Sequence, residues 1–547
     1  MRSVRASPLV LVVTAAGLLL RAAPLLVPGG LTGLQEYDDG VHYAASAALL
    51  HGHWPYAGEV FLQPPGIVLL LLPFAALGAL TTDPVGLAAA RIGVLVVAGV
   101  NTLLVASIAQ TAVHGDVAGR SAGGARGLGE EGEPAGAERT PLSTPTSTRT
   151  PAAPDLGHRR AELAAVLAAG AYAVGAAAVV AAHTVLLEPV LTLFVLLGAR
   201  RLLSAGPAPS PGALTAAGVL FAAGTAVKLW GVLALVAAVG LLLVERRARS
   251  ALRLTGAYAV ALIVLLAPFA VAAPGGMAGD LVLAQLTRPP SGVTGVPARL
   301  SAITGWAGLQ AQLPALPVAG GWLSGALLLV LLLSGVRSPL RGARLFGLQG
   351  VLYLGAFLLA GPYYLHYGEV LVPAAAILLG CWAARARAQR WKPALAAALA
   401  GLAVLSAGGR SVTGTSGQPD LAALVGHVVP PTACVYADGP SLAIAANRLP
   451  AGRGCPDLID PRGVALVLAE GHPAPDLYRG GFTRVLGWQS AVRARLGAAS
   501  YALLLGPPAA HVEWDAATRA YFRAHFRRLT PAAGPWRVEV WQRVRSG

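Results

Sequence analysis

Charge is what this sequence has little of. Only 12% of its 547 residues are Asp, Glu, Lys or Arg, against 55% that are hydrophobic. A soluble domain carries about a quarter charged residues, so these few cannot coat a water-facing surface of this size. They suffice for loops between lipid-embedded helices. No Walker loop, dinucleotide fingerprint or zinc spacing is present, which argues against a nucleotide held on a glycine-rich loop. Methionine is scarce as well: two Met beside 67 Gly in an Ala/Leu/Val background fit a high-GC bacterial genome. The formal charge of +16 does not point to nucleic acid, because the arginines sit in short clusters between apolar runs. Clusters so placed set membrane orientation.

Three cysteines remain to be placed. Cys381 lies in an apolar run and reads as a packed residue. Cys434 and Cys455 lie in the polar C-terminal region, where export would let them pair; the alternative is two unrelated thiols. Near the start, Arg2 and Arg5 precede the apolar Pro8–Leu20, as in a signal peptide. Apolar character resumes after Arg21 without a cleavage site, so this reads as an uncleaved first helix.

A helix crossing the hydrocarbon core needs about 20 apolar residues. About eleven candidates occur, over 8–27, 85–112, 161–182, 186–203, 212–228, 229–245, 253–273, 320–336, 344–360, 369–384 and 393–407. The run 66–81 decides the topology. If it lies along the surface or re-enters, with the N-terminus inside, the basic groups Arg200/Arg201, Arg246–Arg253, Arg337/Arg341/Arg344 and Arg385/Arg387/Arg390/Lys392 all fall in the cytoplasm. If it spans, all four face outward. Pro64, Pro65 and Gly66 break it from the preceding loop. The expected protein is therefore an α-helical polytopic membrane protein with interfacial helices and a small extracytoplasmic α/β domain. Its parts are 1–112, a disordered cytoplasmic linker over 113–160, further spans over 161–407, and the soluble domain over 408–547. In that domain Ala433–Tyr436, Val464–Leu468, Tyr501–Leu505 and Val538–Trp541 read as strands, and Leu442–Ala446 and Ala516–Phe526 as helices.

The chemistry gathers in the first outer loop, Glu36-Tyr37-Asp38-Asp39-Gly40-Val41-His42-Tyr43. Adjacent carboxylates beside a membrane can accept a proton from a hydroxyl or hold a cation; they can equally open a helix, where Asp is favoured. The wider pattern adds Gly52, Pro55-Tyr56, Phe61-Leu62-Gln63-Pro64-Pro65-Gly66, Ala90-Arg91, Glu188, Gly224 with Lys228, and Tyr363-Tyr364-Leu365-His366-Tyr367. This succession resembles the GT-C glycosyltransferase superfamily, in the branch of protein O-mannosyltransferases and lipid A aminoarabinose transferases. The likeness runs over roughly 8–410 and is most specific over 36–91. Two departures stand out: the family's acidic pair is commonly Asp-Glu where this chain has Asp38-Asp39, and Gln63 stands where the family often has a cation.

The resemblance implies an inverting transferase that moves a sugar from a polyprenyl phosphate to a hydroxyl of a glycan, lipid or protein, without a required metal. Such transfer needs a base for the acceptor and cations for the departing phosphate. Asp38 or Asp39 is the candidate base. Arg91, Lys228, Arg288 and His366 are the candidate phosphate contacts, and His42, Tyr43, Gln63 and Glu188 the candidate substrate contacts. Plainer readings stand beside them. Arg91 can pair with Asp83 or snorkel, Lys228 can cap a helix, and the tyrosines can form an interfacial belt. A divalent cation on Asp38, Asp39 and His42 is the alternative to metal-free chemistry. The competing function is a transporter or lipid-carrier flippase, whose repeats and mid-membrane polar groups are missing from this sequence. A catalytically dead scaffold is a third reading. The C-terminal domain is expected to bind acceptor or cell-wall polymer, with Trp488, Trp514, Trp536 and Trp541 as stacking candidates.

Overall fold

The structure, a computed structural model, describes residues 7–126, 156–204, 209–385, 418–450, 455, 459–469, 481–506, 512–530 and 537–544, without the side chains of 115–126 and 156. Its first helix, Pro8–Ala22, starts where Ser7 accepts from the Val10 amide and a proline fills the first turn, both favourable at a helix N-terminus. Among the described residues five helices are long and apolar enough to cross a membrane, or six if the bent pair 157–173 and 176–182 counts as one. Gly66–Leu80, Pro211–Val227, Leu229–Val244 and Gly320–Val336 are shorter apolar helices. The expected span over 393–407 and most of the 113–160 linker lie outside the described residues. The expected unbroken span 161–182 is instead bent by 61° at Gly175, where a Cβ would meet Val372 at 2.7 Å. Gly66–Leu80 has 15 residues and so is about 22 Å long, less than the roughly 30 Å of a hydrocarbon core.

The two ends of the helical bundle differ in charge. Glu245 accepts from Arg341 at 2.8 Å and lies 3.6 Å from Arg344 and 3.8 Å from Arg247. Arg341 also donates to the carbonyl of Leu202, beside Arg201, and Arg385 donates to Ser338. The four basic groups read from the sequence therefore share one end, as far as their members are described; Arg387, Arg390 and Lys392 are not. Glu188 opens the helix Leu187–Ser204 whose last turns hold Arg200 and Arg201, so Glu188 sits at the opposite end.

The C-terminal region forms a four-stranded sheet in the order β1-β2-β4-β3, from β1 (Val435–Ala437), β2 (Tyr501–Leu505), β3 (Phe526–Arg528) and β4 (Val538–Arg543). β1 runs parallel to β2, and β4 pairs antiparallel with both β2 and β3. Alternation along β2 sends Ala502 and Leu504 into a core with Trp488, Trp514 and Phe522, and Leu503 into another with Leu442 and Leu34. The expected strand Val464–Leu468 is instead the end of a helix, Pro461–Leu468. Asp460 accepts from the Gly463 amide there, and Pro461 fills the first turn, a strong helix start that outweighs the β-branched content. Trp488 and Trp514 are buried and Trp541 lies edge-on to Phe522, so these rings belong to the packing; Trp536 is not described.

Cys434 and Cys455 form a disulfide, and Cys381 is buried and free. The link closes the loop carrying the helix Pro440–Ala445, which packs on Tyr37–Leu50. Replacing both Cys434 and Cys455 with Ser is expected to lower the domain's stability by about 3 kcal/mol for a loop of this length, read as a fall in the thermal midpoint of tryptophan fluorescence. An unchanged midpoint would mean that other contacts hold the loop.

Candidate active site

The helix Tyr37–Leu50 carries Asp38 and Asp39 in its first turn, where carboxylates complement the helix dipole. Successive helical residues point about 100° apart, and the pair separates accordingly. Asp39 turns inward and is fully buried, with its Oδ2 taking Arg91 Nη2 at 2.5 Å and Nε at 3.1 Å. The remaining Arg91 nitrogen donates to the carbonyls of Leu31 at 2.7 Å and Gly33 at 2.9 Å. Ser441 Oγ, from the C-terminal domain, lies 3.3 Å from Asp39 Oδ1 and also donates to the Glu36 carbonyl at 2.8 Å. This corrects two expectations. Arg91 pairs with Asp39 rather than Asp83, and its nitrogens are engaged by the protein rather than turned to an incoming phosphate.

Asp38 has the opposite surroundings. It is half-buried, and among the described residues its carboxylate makes no hydrogen bond. Burial pushes its pKa up, but the nearby His42, His366, Arg288 and Arg462 outweigh that, so the carboxyl is held below its ordinary value. Asp38 is therefore an ionised carboxylate with free acceptor capacity.

Around it lie groups from five separate stretches. The helix Pro211–Val227 ends at Lys228, which is extended, and the chain turns so tightly that a Cβ on Gly231 would meet the Thr225 amide at 2.6 Å. Buried Lys228 forms an ion pair with Glu188 and sits 3.8 Å from the ring centre of Tyr367. His366 Nε2 is 3.9 Å from the same Glu188 oxygen, and its ring stacks on Tyr364. The other oxygen, Glu188 Oε2, is buried without a hydrogen-bond partner among the described residues. Arg299, which the sequence reading passed over, fixes the approach to His366: it donates to the carbonyls of Val293, Phe357, Ala360 and Gly361.

Arg288 arrives on an arm that is tied down twice. Asp280 Oδ2 accepts from the Phe61 amide at 3.0 Å, and Gln285 donates to the Leu62 carbonyl at 2.6 Å. Burial pushes the Asp280 carboxyl up to about 6, with the Phe61 hydrogen bond opposing. The same Phe61–Gly66 loop rests on the turn before Lys228, since a Cβ on Gly66 would meet the Ala226 carbonyl at 2.5 Å. Gln63 is thereby set half-buried between the Arg288 arm and the Lys228 turn.

Tyr43, a candidate substrate contact from the sequence, is packed inside the protein. It is fully buried, and its hydroxyl fills the space left by Gly78 and Gly86. His42 is buried too, with Nδ1 2.8 Å from the Val185 carbonyl, which ties the acidic helix to the turn before Glu188. Among the described residues no three His, Cys, Asp or Glu side chains converge to hold a metal; Asp38, Asp39 and His42 do not, because Asp39 is turned onto Arg91. The contacts that sequence reading missed come from the C-terminal domain. Tyr37 donates to Asp460 at 2.8 Å, the Arg462 amide donates to Tyr37 at 2.9 Å, and Gln418 both donates to and accepts from the Leu34 backbone. Their one local signal was the Asp460-Pro461 helix start.

The architecture is similar to that of solved membrane-enzyme structures of the GT-C fold. One of these is ArnT from Cupriavidus metallidurans bound to undecaprenyl phosphate, at 15% identity and a TM-score of 0.56 over 99% of both chains. Two weaker matches are the Archaeoglobus fulgidus oligosaccharyltransferase tethered with an acceptor peptide (12% identity, TM-score 0.47, 90% of this chain and 68% of that one) and the Saccharomyces cerevisiae Pmt1-Pmt2 complex bound to its sugar donor (14%, 0.31, 50% and 32%). No protein-family model and no curated protein sequence matches the chain.

The split of the acidic pair predicts different stability effects. Asp39→Asn leaves a guanidinium buried without its counter-charge and should cost roughly 3–5 kcal/mol, while Asp38→Asn should leave stability unchanged. Thermal unfolding of the detergent-purified protein reads both. Equal midpoints for the two variants would overturn the assignment.

Proposed function

We propose that the chain is an inverting glycosyltransferase of the membrane's outer face, moving a sugar from a polyprenyl phosphate to a hydroxyl on a glycan, lipid or protein. The observation that carries this is Asp38: an ionised carboxylate with open acceptor positions, facing a group of cations while its neighbour Asp39 is locked away. In the reaction the acceptor O–H gives its proton to Asp38, and the acceptor oxygen bonds to the anomeric carbon. The bond from that carbon to the phosphate oxygen breaks, its electron pair leaving with the polyprenyl phosphate. Attack opposite the leaving group inverts the configuration. Positive groups aimed at the departing phosphate stabilise the charge that develops there.

Arg288 is the proposed phosphate contact. Lys228 and His366 act through Glu188, whose second oxygen, buried without a hydrogen-bond partner among the described residues, is proposed to accept from a sugar hydroxyl. Gln63, between the Arg288 arm and the Lys228 turn, is a neutral donor for the same substrate. No step here calls for a metal. The fold of an ArnT structure holding undecaprenyl phosphate supports a lipid-linked donor. The outer-face location rests on charge: the arginine groups share the bundle end opposite Glu188, and such groups stay in the cytoplasm. This reading has the N-terminus inside and the C-terminal domain outside, where a disulfide persists. Charges gathered at one set of helix ends favour a transferase over a transporter.

Asp38→Asn is expected to lower transfer by at least about 10²-fold, in the range for loss of a positioned base, with binding of undecaprenyl phosphate retained. Release of free undecaprenyl phosphate from lipid-linked sugars measures turnover without knowledge of the acceptor. A base with a lowered pKa stays ionised as pH falls, so the acid limb of kcat/KM should lie below the ordinary aspartate value of about 3.9. A limb near 6, or near-normal turnover by Asp38→Asn, removes Asp38 as the base.

A further inference from the structure

Two of the cations near Asp38 already have carboxylate partners: Arg91 has Asp39, and Lys228 has Glu188. A sugar phosphodiester carries one negative charge, and the monoester leaving it approaches two, a charge that two guanidinium groups match. A second guanidinium is close by, and it comes from the C-terminal domain. Arg462 lies in the first turn of Pro461–Leu468, half-exposed, with its guanidinium carbon 5.2 Å from the ring centre of Tyr37, the residue before Asp38. Its position is fixed from both sides: its amide donates to the Tyr37 hydroxyl, which donates to Asp460.

The rest of that helix turns the same way. Leu466 follows Arg462 by four residues and so shares its helix face. Leu466 and Val467 line a groove whose other wall is Leu283, Ala284, Arg288 and Pro289. The groove is lined mainly by apolar side chains together with Thr287 and Arg288, and Arg462 stands a turn away on the facing helix. A phosphate carrying an aliphatic tail has this shape and charge.

We infer that Arg462 of the C-terminal domain, together with Arg288, holds the phosphate of the lipid-linked donor. The domain then supplies part of the active site rather than only an acceptor platform. This inference rests on the transferase reading above. The test compares undecaprenyl phosphate with undecaprenol, its neutral alcohol, as ligands of the full-length protein in nanodiscs. Arg462→Ala is expected to weaken undecaprenyl phosphate about tenfold, as for loss of a charge-assisted contact, and to leave undecaprenol unchanged. Arg462→Lys should retain most of the affinity. Tyr37→Phe, which keeps the ring but cuts the link to Asp460, should spare the preference for phosphate.

An equal loss for phosphate and alcohol would mean that Arg462 only holds its helix in place, and would overturn the inference. So would a phosphate preference undiminished in Arg462→Ala and in the better-packed Arg462→Gln. A wild-type protein with no preference for undecaprenyl phosphate over undecaprenol would instead remove the donor assignment itself. The two failures are therefore separable.

Discussion

The buried pair of Arg91 and Asp39 is the constraint on which the active-site geometry depends. Two charges without solvent exposure are costly to desolvate, and such a pair persists only when the remaining donors and acceptors are satisfied. Here they are: loop carbonyls surround the guanidinium, and a serine from the far end of the sequence meets the second carboxylate oxygen. One consequence is rotational. With Asp39 pinned to the interior, the helix Tyr37–Leu50 cannot turn about its axis, and Asp38 must face the cations. A pair of adjacent acids thus becomes one buried anchor and one half-buried carboxylate.

A similar division runs through the cations. Lys228 and Arg91 are buried against carboxylates, whereas Arg288 follows a short helical arm and Arg462 lies half-exposed in the first turn of Pro461–Leu468. Burial sorts these residues more sharply than their chemistry does. A lysine over a tyrosine ring and against a glutamate is rigid, and rigid groups make good positioning elements. The arginines on the arm and on the C-terminal helix are better suited to a ligand that enters and leaves.

Much of this was legible in the sequence, for identifiable reasons. Apolar runs and arginine clusters follow from the properties of the bilayer, so the helices and the shared basic end could be read directly; Glu245 meeting Arg341 and Arg344 bears that out. The acidic loop, Glu188, Lys228 and His366 lie near one another in the structure. What could not be read was direction and distance. Asp38 and Asp39 are chemically alike, and only helix phase against Arg91 separates them. Tyr43 looked like an interfacial tyrosine because two glycines, 35 and more residues away, make its cavity. Val464–Leu468 looked like a strand because a proline-led helix can be rich in Val and Leu. The contacts from Ser441, Asp460 and Arg462 span some 400 residues of sequence, beyond the reach of any local periodicity.

That separation bears on how the protein is made. The acidic helix leaves the ribosome among the first fifty residues, yet Ser441 and the Asp460 segment are its last partners to be synthesised. Until they arrive, Gly40 has no backbone to close against and Tyr37 has no acceptor. A half-translated bundle therefore lacks the contacts that close the acidic helix. The order of biosynthesis leaves the surroundings of Asp38 incomplete until the C-terminal domain has been made.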